Sequence, residues 1–183
     1  MKITSGRYKY RNIEVPKGIR PTTEKVREAV FSMIGAWIPD AEVLDLFAGS
    51  GAMGLEALSR GAARCTFVES NRQNQKVLLA NIDNCGAGED SRLIGKDFTS
   101  ALAELAGGKR SRFDVVIIDP PYEKTDYYDT ALQLLQEYEL IDDASIVVCE
   151  HLYDNKLLDT YGILQKIKEK KYGTIGVDVF NVL

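Results

Sequence analysis

The sequence predicts an α/β fold: a mostly parallel sheet of seven strands with a reversed strand at its C-terminal edge. Three observations carry this. Short apolar runs alternate with amphipathic stretches from residue 43 onward. The runs are apolar throughout, as strands covered on both faces are. The last two strand-like segments, 162–170 and 174–182, meet at Tyr172-Gly173, a connection too short for a parallel crossover.

Residues 2–15 carry Tyr8, Tyr10, Ile13 and Val15 among basic residues and read as a hairpin or extended arm, ended by Pro16, Gly18 and Pro21. Thr22 or Thr23 then caps a helix whose apolar face is Val26, Ala29, Val30, Met33, Ile34 and Trp37. Strand 43–47 leads through glycines to a helix at 52–60, and strand 65–68 to a helix near 71–84. A short strand at 92–94 leads to a helix near 98–106, and strand 115–118 to one near 127–137. Strand 145–149 closes the alternation. With no repeat or linker, residues 1–183 read as a single domain, divided into an arm (1–22) and a helix plus core (23–183).

Composition narrows the class. With 45% apolar and 27% charged residues the chain is globular in character. No apolar run approaches the roughly 20 residues that span a bilayer, and the N-terminus lacks a signal-like apolar stretch, so a cytoplasmic protein is expected. Cys65, Cys85 and Cys149 are isolated, without zinc spacing, and read as reduced thiols; no metal is expected. His151, the sole histidine, reads as structural. The net charge of −4 hides an asymmetry. Residues 1–27 hold eight basic side chains against Glu14 and Glu24, a net +6, leaving −10 on the remainder. Screening limits charges to about 8–10 Å, so a basic arm on an acidic body can still bind phosphates.

Residues 45–54 read DLFAGSGAMG. Gly49, Gly51 and Gly54 form G-x-G-x-x-G between a strand and a helix, and Glu69 follows at the end of the next strand. That is a nucleotide-binding pattern, with an acid placed for a ribose diol. The loop fits NAD and S-adenosylmethionine (SAM) alike. Asp45 and Phe47 lean toward SAM, whose methionine end is cationic; an acid beside a pyrophosphate would be repelled. Asp97, with Phe98 beside it, can accept the adenine amino group, cap a helix, or do both.

The fourth strand ends in DPPY, residues 119–122. In an open parallel sheet this end opens into the same crevice as the glycine loop. An exocyclic amine on a base is a poor nucleophile, because its lone pair is delocalised into the ring. Two fixed acceptors, the Asp119 carboxylate and the Pro120 carbonyl, can hold its N–H groups and turn the lone pair outward. Pro120 and Pro121 stiffen the turn, and Tyr122 offers a stacking face.

Together, DLFAGSGAMG and DPPY resemble the SAM-dependent amino-methyltransferases with a Rossmann-like fold. RPTTEKVREAVFSMI at 20–34, VLDLFAGSGAMGLEALSRGA at 43–62 and the basic C-terminal hairpin narrow this to a resemblance to the RsmD-type 16S ribosomal RNA guanine-N2 methyltransferases. The resemblance covers nearly the whole chain. It implies SAM as donor and the 2-amino group of one guanine, of the guanine 966 type, as acceptor. It implies 16S ribosomal RNA or a small-subunit assembly particle as partner. It implies catalytic roles for Asp119, Pro120, Pro121 and Tyr122. It implies cofactor contacts from Asp45, Phe47, Ala48, Gly49, Ser50, Gly51, Glu69, Ser70, Asp97 and Phe98. It also implies RNA contacts from Arg7, Lys9, Arg11, Arg20 and Thr22. The arm departs from the family pattern at Tyr10, where glycine is common. A monomer is expected.

The alternatives are an amino-methyltransferase acting on DNA adenine-N6 or cytosine-N4, an NAD-dependent oxidoreductase, and a non-catalytic RNA-binding module. The first needs added residues to read a groove. The second leaves DPPY and the arm without a role, and the third leaves the cofactor loop without one.

Overall fold

The computed structural model describes residues 1–109 and 112–183. Five strands alternate with helices as their sequence patterns predict. They are β1 (Glu42–Asp45), β2 (Arg64–Val68), β3 (Ser91–Ile94), β4 (Val115–Ile118) and β5 (Ile146–Leu152). The helices are α1 (Glu24–Ile34), α2 (Ala52–Ser59), α3 (Arg72–Cys85), α4 (Phe98–Ala106) and α5 (Asp126–Glu137). Three further strands follow: β6 (Thr160–Tyr161), β7 (Leu164–Tyr172) and β8 (Ile175–Val182).

The sheet order is β3-β2-β1-β4-β5-β8-β7-β6. The first five strands are parallel and the last three antiparallel to their neighbours. Among the described residues the sheet therefore has eight strands, not the expected seven, and the reversed β8 lies inside it rather than at its edge. The reason is burial. β8 is buried along most of its length, whereas β7 is mostly exposed and carries Lys166, Lys168, Lys170 and Lys171. The apolar strand takes the inner place beside β5, and the lysine-rich strand lies outside it. Beyond it the two-residue β6, which the sequence pattern did not reveal, closes the edge. A two-residue edge strand beside a lysine-rich one resists pairing with other chains.

Apolar side chains of α1, α2 and α3 pack on one face of the sheet, and those of α4 and α5 on the other. Thr23 caps α1, its hydroxyl accepting the Val26 N–H at 3.2 Å. Asn71 caps α3 through the Gln73 and Asn74 N–H groups. The three cysteines are free and buried. His151 is buried too, with Nε2 3.1 Å from Asp178 Oδ2, and Lys166 Nζ lies 3.1 Å from the same oxygen.

The N-terminal arm is docked against the body. Ile3, Tyr8 and Ile13 are buried in the core. Gly6 sits at φ +84, where an added Cβ would lie 1.8 Å from the Ser59 carbonyl oxygen. Glu56, fully buried on α2, organises the contact. Its carboxylate accepts from the Thr4 N–H and hydroxyl and pairs with Arg27 and Arg60, each at 3.0 Å. The Arg27 guanidinium also donates to the Lys2 carbonyl. Tyr10 adopts φ 71, a left-handed conformation in which glycine is unstrained, and is 69% exposed.

Removing one member of a buried ion pair leaves a charge without its partner. Glu56→Ala is expected to lower the unfolding free energy by about 3–5 kcal/mol, because the fully buried Arg27 side chain is stranded. Urea unfolding at neutral pH measures this; a loss under about 1 kcal/mol would show that the arm is not anchored there.

Candidate active site

The parallel pairing of β1 with β4 sets Asp45 beside Ile117, so both strands end at one crevice. The crevice is a cleft of about 470 Å³. It is lined by nine of the ten residues expected to contact the cofactor, Gly51 being set back behind them, by residues 119–122, and by Arg20 and Thr22.

Backbone hydrogen bonds fold the glycine loop onto the sheet. The Ala48 N–H donates to the Val68 carbonyl at 2.9 Å, and the Gly51 N–H to the Ala48 carbonyl at 2.7 Å. Gly51 caps α2 at φ +82, and an added Cβ would fall 2.2 Å from Leu78 Cδ1. At Gly54 the same atom would meet the Phe67 ring at 2.3 Å. The middle glycine permits the turn and the last permits close helix–strand packing. Ser50 is buried, its carbonyl accepting from Asn81 Nδ2 at 2.8 Å.

Asp45 is buried beneath this loop, and its Oδ2 accepts the Gly54 N–H at 3.0 Å. Burial, aided by the Glu69 charge, pushes its pKa up to about 7, against the lowering effect of that hydrogen bond. Glu69 is half-buried. Its two oxygens accept the Gly49 and Asn71 N–H groups, each at 2.9 Å, which aim the carboxylate across the loop. Asp97 caps α4 through the Ser100 N–H at 3.0 Å and also accepts from the Thr99 and Ser100 hydroxyls. These bonds hold its pKa at about 2. Capping, one of the two roles open to Asp97, is thus observed.

Three aromatic rings line one side of the cleft. Phe47 and Phe98 lie 5.0 Å apart, and Tyr127 lies 4.7 Å from Phe98 and stacks on Phe47 at 5.8 Å. Tyr127, in the first turn of α5, was not singled out in the sequence. Its signal was faint: a tyrosine pair whose second member, Tyr128, is core.

The DPPY turn stands at the other side. Asp119 is half-buried, and Thr22 Oγ1 lies 3.2 Å from its Oδ2. The same hydroxyl lies 2.9 Å from Glu150 Oε2, and the Tyr122 hydroxyl donates to Glu150 Oε1 at 3.3 Å. Burial and the neighbouring Glu150 charge raise the Asp119 pKa well above the usual carboxylate range. Burial likewise raises that of Glu150, which Thr22 and Tyr122 partly offset. The Arg20 guanidinium rests 5.1 Å from the centre of the Tyr122 ring. Glu150 was missed because the predicted strand stopped at Cys149, whereas β5 runs on to Leu152.

The predicted RNA contacts divide. Arg20 is exposed at the cleft mouth. Thr22 is 9% exposed and bridges two carboxylates, so it belongs to the acid site. Arg7 pairs with Asp90 at 3.0 Å, and Arg11 donates to the Asn84 carbonyl at 2.9 Å. Asp90 precedes β3 and Asn84 ends α3, so both lie at the opposite end of the sheet from the cleft. Lys9 lies over the Tyr10 ring on the same turn. Arg7, Lys9 and Arg11 are therefore away from the cleft mouth, because burial of Ile3 and Tyr8 fixes that part of the arm along α2.

Residues 1–181 match the family described as Conserved hypothetical protein 95. The Escherichia coli K12 protein named ribosomal RNA small subunit methyltransferase D is 36% identical over 159 residues, covering 86% of this chain and 77% of that one. The chain belongs to this RsmD family. The Bacillus subtilis protein YlbH, described provisionally as an rRNA methyltransferase, is 34% identical over 182 residues, or 98% of each chain. A solved Escherichia coli structure, yhhF, described provisionally as a methyltransferase, superposes with a TM-score of 0.86 at 32% identity. That match covers 100% of this chain and 97% of the other. The mixed sheet is thus the Rossmann-like methyltransferase fold, and the chemistry of the cleft fits SAM: a buried acid beneath the loop, a second acid at the end of β2 and an aromatic wall.

Asp45 gives a pH-dependent consequence. Its folded pKa of about 7 exceeds the ordinary 3.8, so the folded protein binds this proton more tightly than the unfolded chain. Its contribution to stability is full below pH 4 and falls by about 1.4 kcal/mol per pH unit as pH rises toward 7. Asp45→Asn is expected to gain stability relative to the parent between pH 5 and 7. Denaturant unfolding at both values tests this, and a constant difference would show Asp45 to be ionised throughout.

Proposed function

We propose that this RsmD-family chain methylates the N2 amine of one guanine in small-subunit ribosomal RNA, with SAM as the methyl donor. The observation that carries the reading is the placement of Asp119 and Tyr122 across one cleft from Asp45 and Glu69. An acid and an aromatic face for a base share a cavity with a nucleotide-type loop.

Bound SAM supplies an electrophilic methyl group on a sulfonium. Everything else falls to the chain. Gly49, Ser50 and Gly51 present backbone along the cofactor, Asp45 receives the methionine ammonium, and Glu69 receives the ribose hydroxyls. Phe47, Phe98 and Tyr127 flank the adenine, with Asp97 near its amino group. Asp119 and the Pro120 carbonyl accept the two N–H groups of the guanine amine. Pro121 fixes the turn, and Tyr122 stacks on the base, which must leave its own stack to arrive. Arg20 over the Tyr122 ring adds a cation to that face. Positive charge developing on the amine nitrogen is stabilised by Asp119, and the N–H proton released as the methyl group arrives leaves to Asp119 or water. Most of the acceleration comes from holding the amine in line.

The RsmD-type relatives support ribosomal RNA as the substrate class, a structured RNA recognised partly by shape and met by a monomer in the cytoplasm as 16S RNA or an assembly particle. An NAD enzyme is disfavoured by Asp45, which sits buried where a pyrophosphate would approach.

Asp119→Ala is expected to lower methyl transfer to small-subunit RNA by about 100-fold or more. The SAM dissociation constant, by calorimetry, is expected to change less than about threefold, since Asp119 faces the base. Equal losses in both would move Asp119 to the cofactor; unchanged transfer would remove Asp119 from the chemistry.

A further inference from the structure

Glu150 lies outside the DPPY motif, yet it is the carboxylate nearest to Asp119 through one intervening hydroxyl. It is 5% exposed, at the end of β5. Thr22 Oγ1 stands between the two acids, 2.9 Å from Glu150 Oε2 and 3.2 Å from Asp119 Oδ2. A hydroxyl has one proton to donate. It can satisfy both neighbours only if it donates to one and accepts from the other, so one of the acids must carry a proton. The Tyr122 hydroxyl donates to Glu150 Oε1.

We propose that Glu150 is a positioning residue that carries the shared proton and thereby keeps Asp119 as the ionised member of the pair. Glu150 Oε2–H donates to Thr22 Oγ1, and Thr22 donates to Asp119 Oδ2. The other Asp119 oxygen is left to accept an amine N–H. The assignment follows from surroundings. Asp119 opens to the cleft, where substrate N–H groups favour its anion. Glu150 is enclosed, and two charges side by side in a buried site are unfavourable.

The groups around Glu150 fit this order. Arg20 and Thr22 approach from the segment before α1, and Asp119 and Tyr122 from the turn after β4. From α5 the Tyr128 hydroxyl donates to the Glu150 carbonyl at 2.6 Å. On β5 itself His151 follows, but Nε2 is taken up with Asp178, which Lys166 also contacts. Asp45 adds a more distant negative influence on Asp119. Arg20 is the cation that reaches Glu150 from outside its own strand, and it is exposed.

The inference rests on the amino-methyltransferase reading above, so two measurements separate their failures. Glu150→Gln keeps a donor toward Thr22 and an acceptor toward Tyr122. Glu150→Ala removes both. Glu150→Gln is expected to retain kcat within about threefold, and Glu150→Ala to lose about tenfold or more with SAM affinity unchanged. The parent kcat is expected to fall on the alkaline side as Glu150 loses its proton, and Glu150→Gln to abolish that limb alone. Independently of turnover, an infrared difference spectrum at neutral pH, parent minus Glu150→Gln, is expected to show the carbonyl band of a protonated carboxyl. A Gln variant as impaired as Ala, or a carboxylate band instead, would overturn the assignment. If the parent methylates no ribosomal RNA, the function falls, and the infrared result still decides the proton.

Discussion

The cleft depends on one constraint, the register between β1 and β4. Val43, Leu44 and Asp45 pair in parallel with Val115, Val116 and Ile117. These strands are neighbours in space but 70 residues apart in sequence, and the chain reverses its order of strands between them. Helices leave in opposite directions from such a point, opening a crevice at the strand ends. The glycine loop grows from one strand and DPPY from the other. A one-residue slip would turn each side chain to the opposite face and separate Asp45 from the loop it supports.

Two kinds of buried acid distinguish framework from site. Glu56 is matched by Arg27 and Arg60 and by the arm's own donors, and it holds the arm. Asp178 is matched by His151 and Lys166. Asp45, Asp119 and Glu150 are not matched in this way. Each carries a raised pKa, with burial as the leading cause, and all three gather at the cleft end of the sheet. Mismatched buried charge is costly and concentrates where chemistry needs it.

Much of this was legible in the sequence. The parallel strands and their helices follow from apolar runs, caps and spacing, and the cleft residues follow from two short motifs. What escaped was set by tertiary competition. The choice between β7 and β8 for the inner place depends on which strand is more apolar, a comparison between elements that periodicity within each does not make. The arm's basic residues read as free RNA contacts, but Ile3, Tyr8 and Ile13 tie it to the core, and Arg27 is buried against Glu56. Glu150 reaches Asp119 through Thr22 only because β5 runs past its predicted end, and Tyr127 reaches the cleft only because α5 begins beside Phe47 and Phe98. Neither carries a motif of its own.

The central claim concerns which atom receives the methyl group. The direct measurement incubates the protein with labelled SAM and small-subunit particles from a strain lacking its gene, with purified DNA alongside. Nuclease digestion and mass spectrometry then identify the product. N2-methylguanosine at one ribosomal site is the predicted result. Unlabelled RNA with N6-methyladenine or N4-methylcytosine in the DNA would contradict it, preserving the amine chemistry but overturning the substrate.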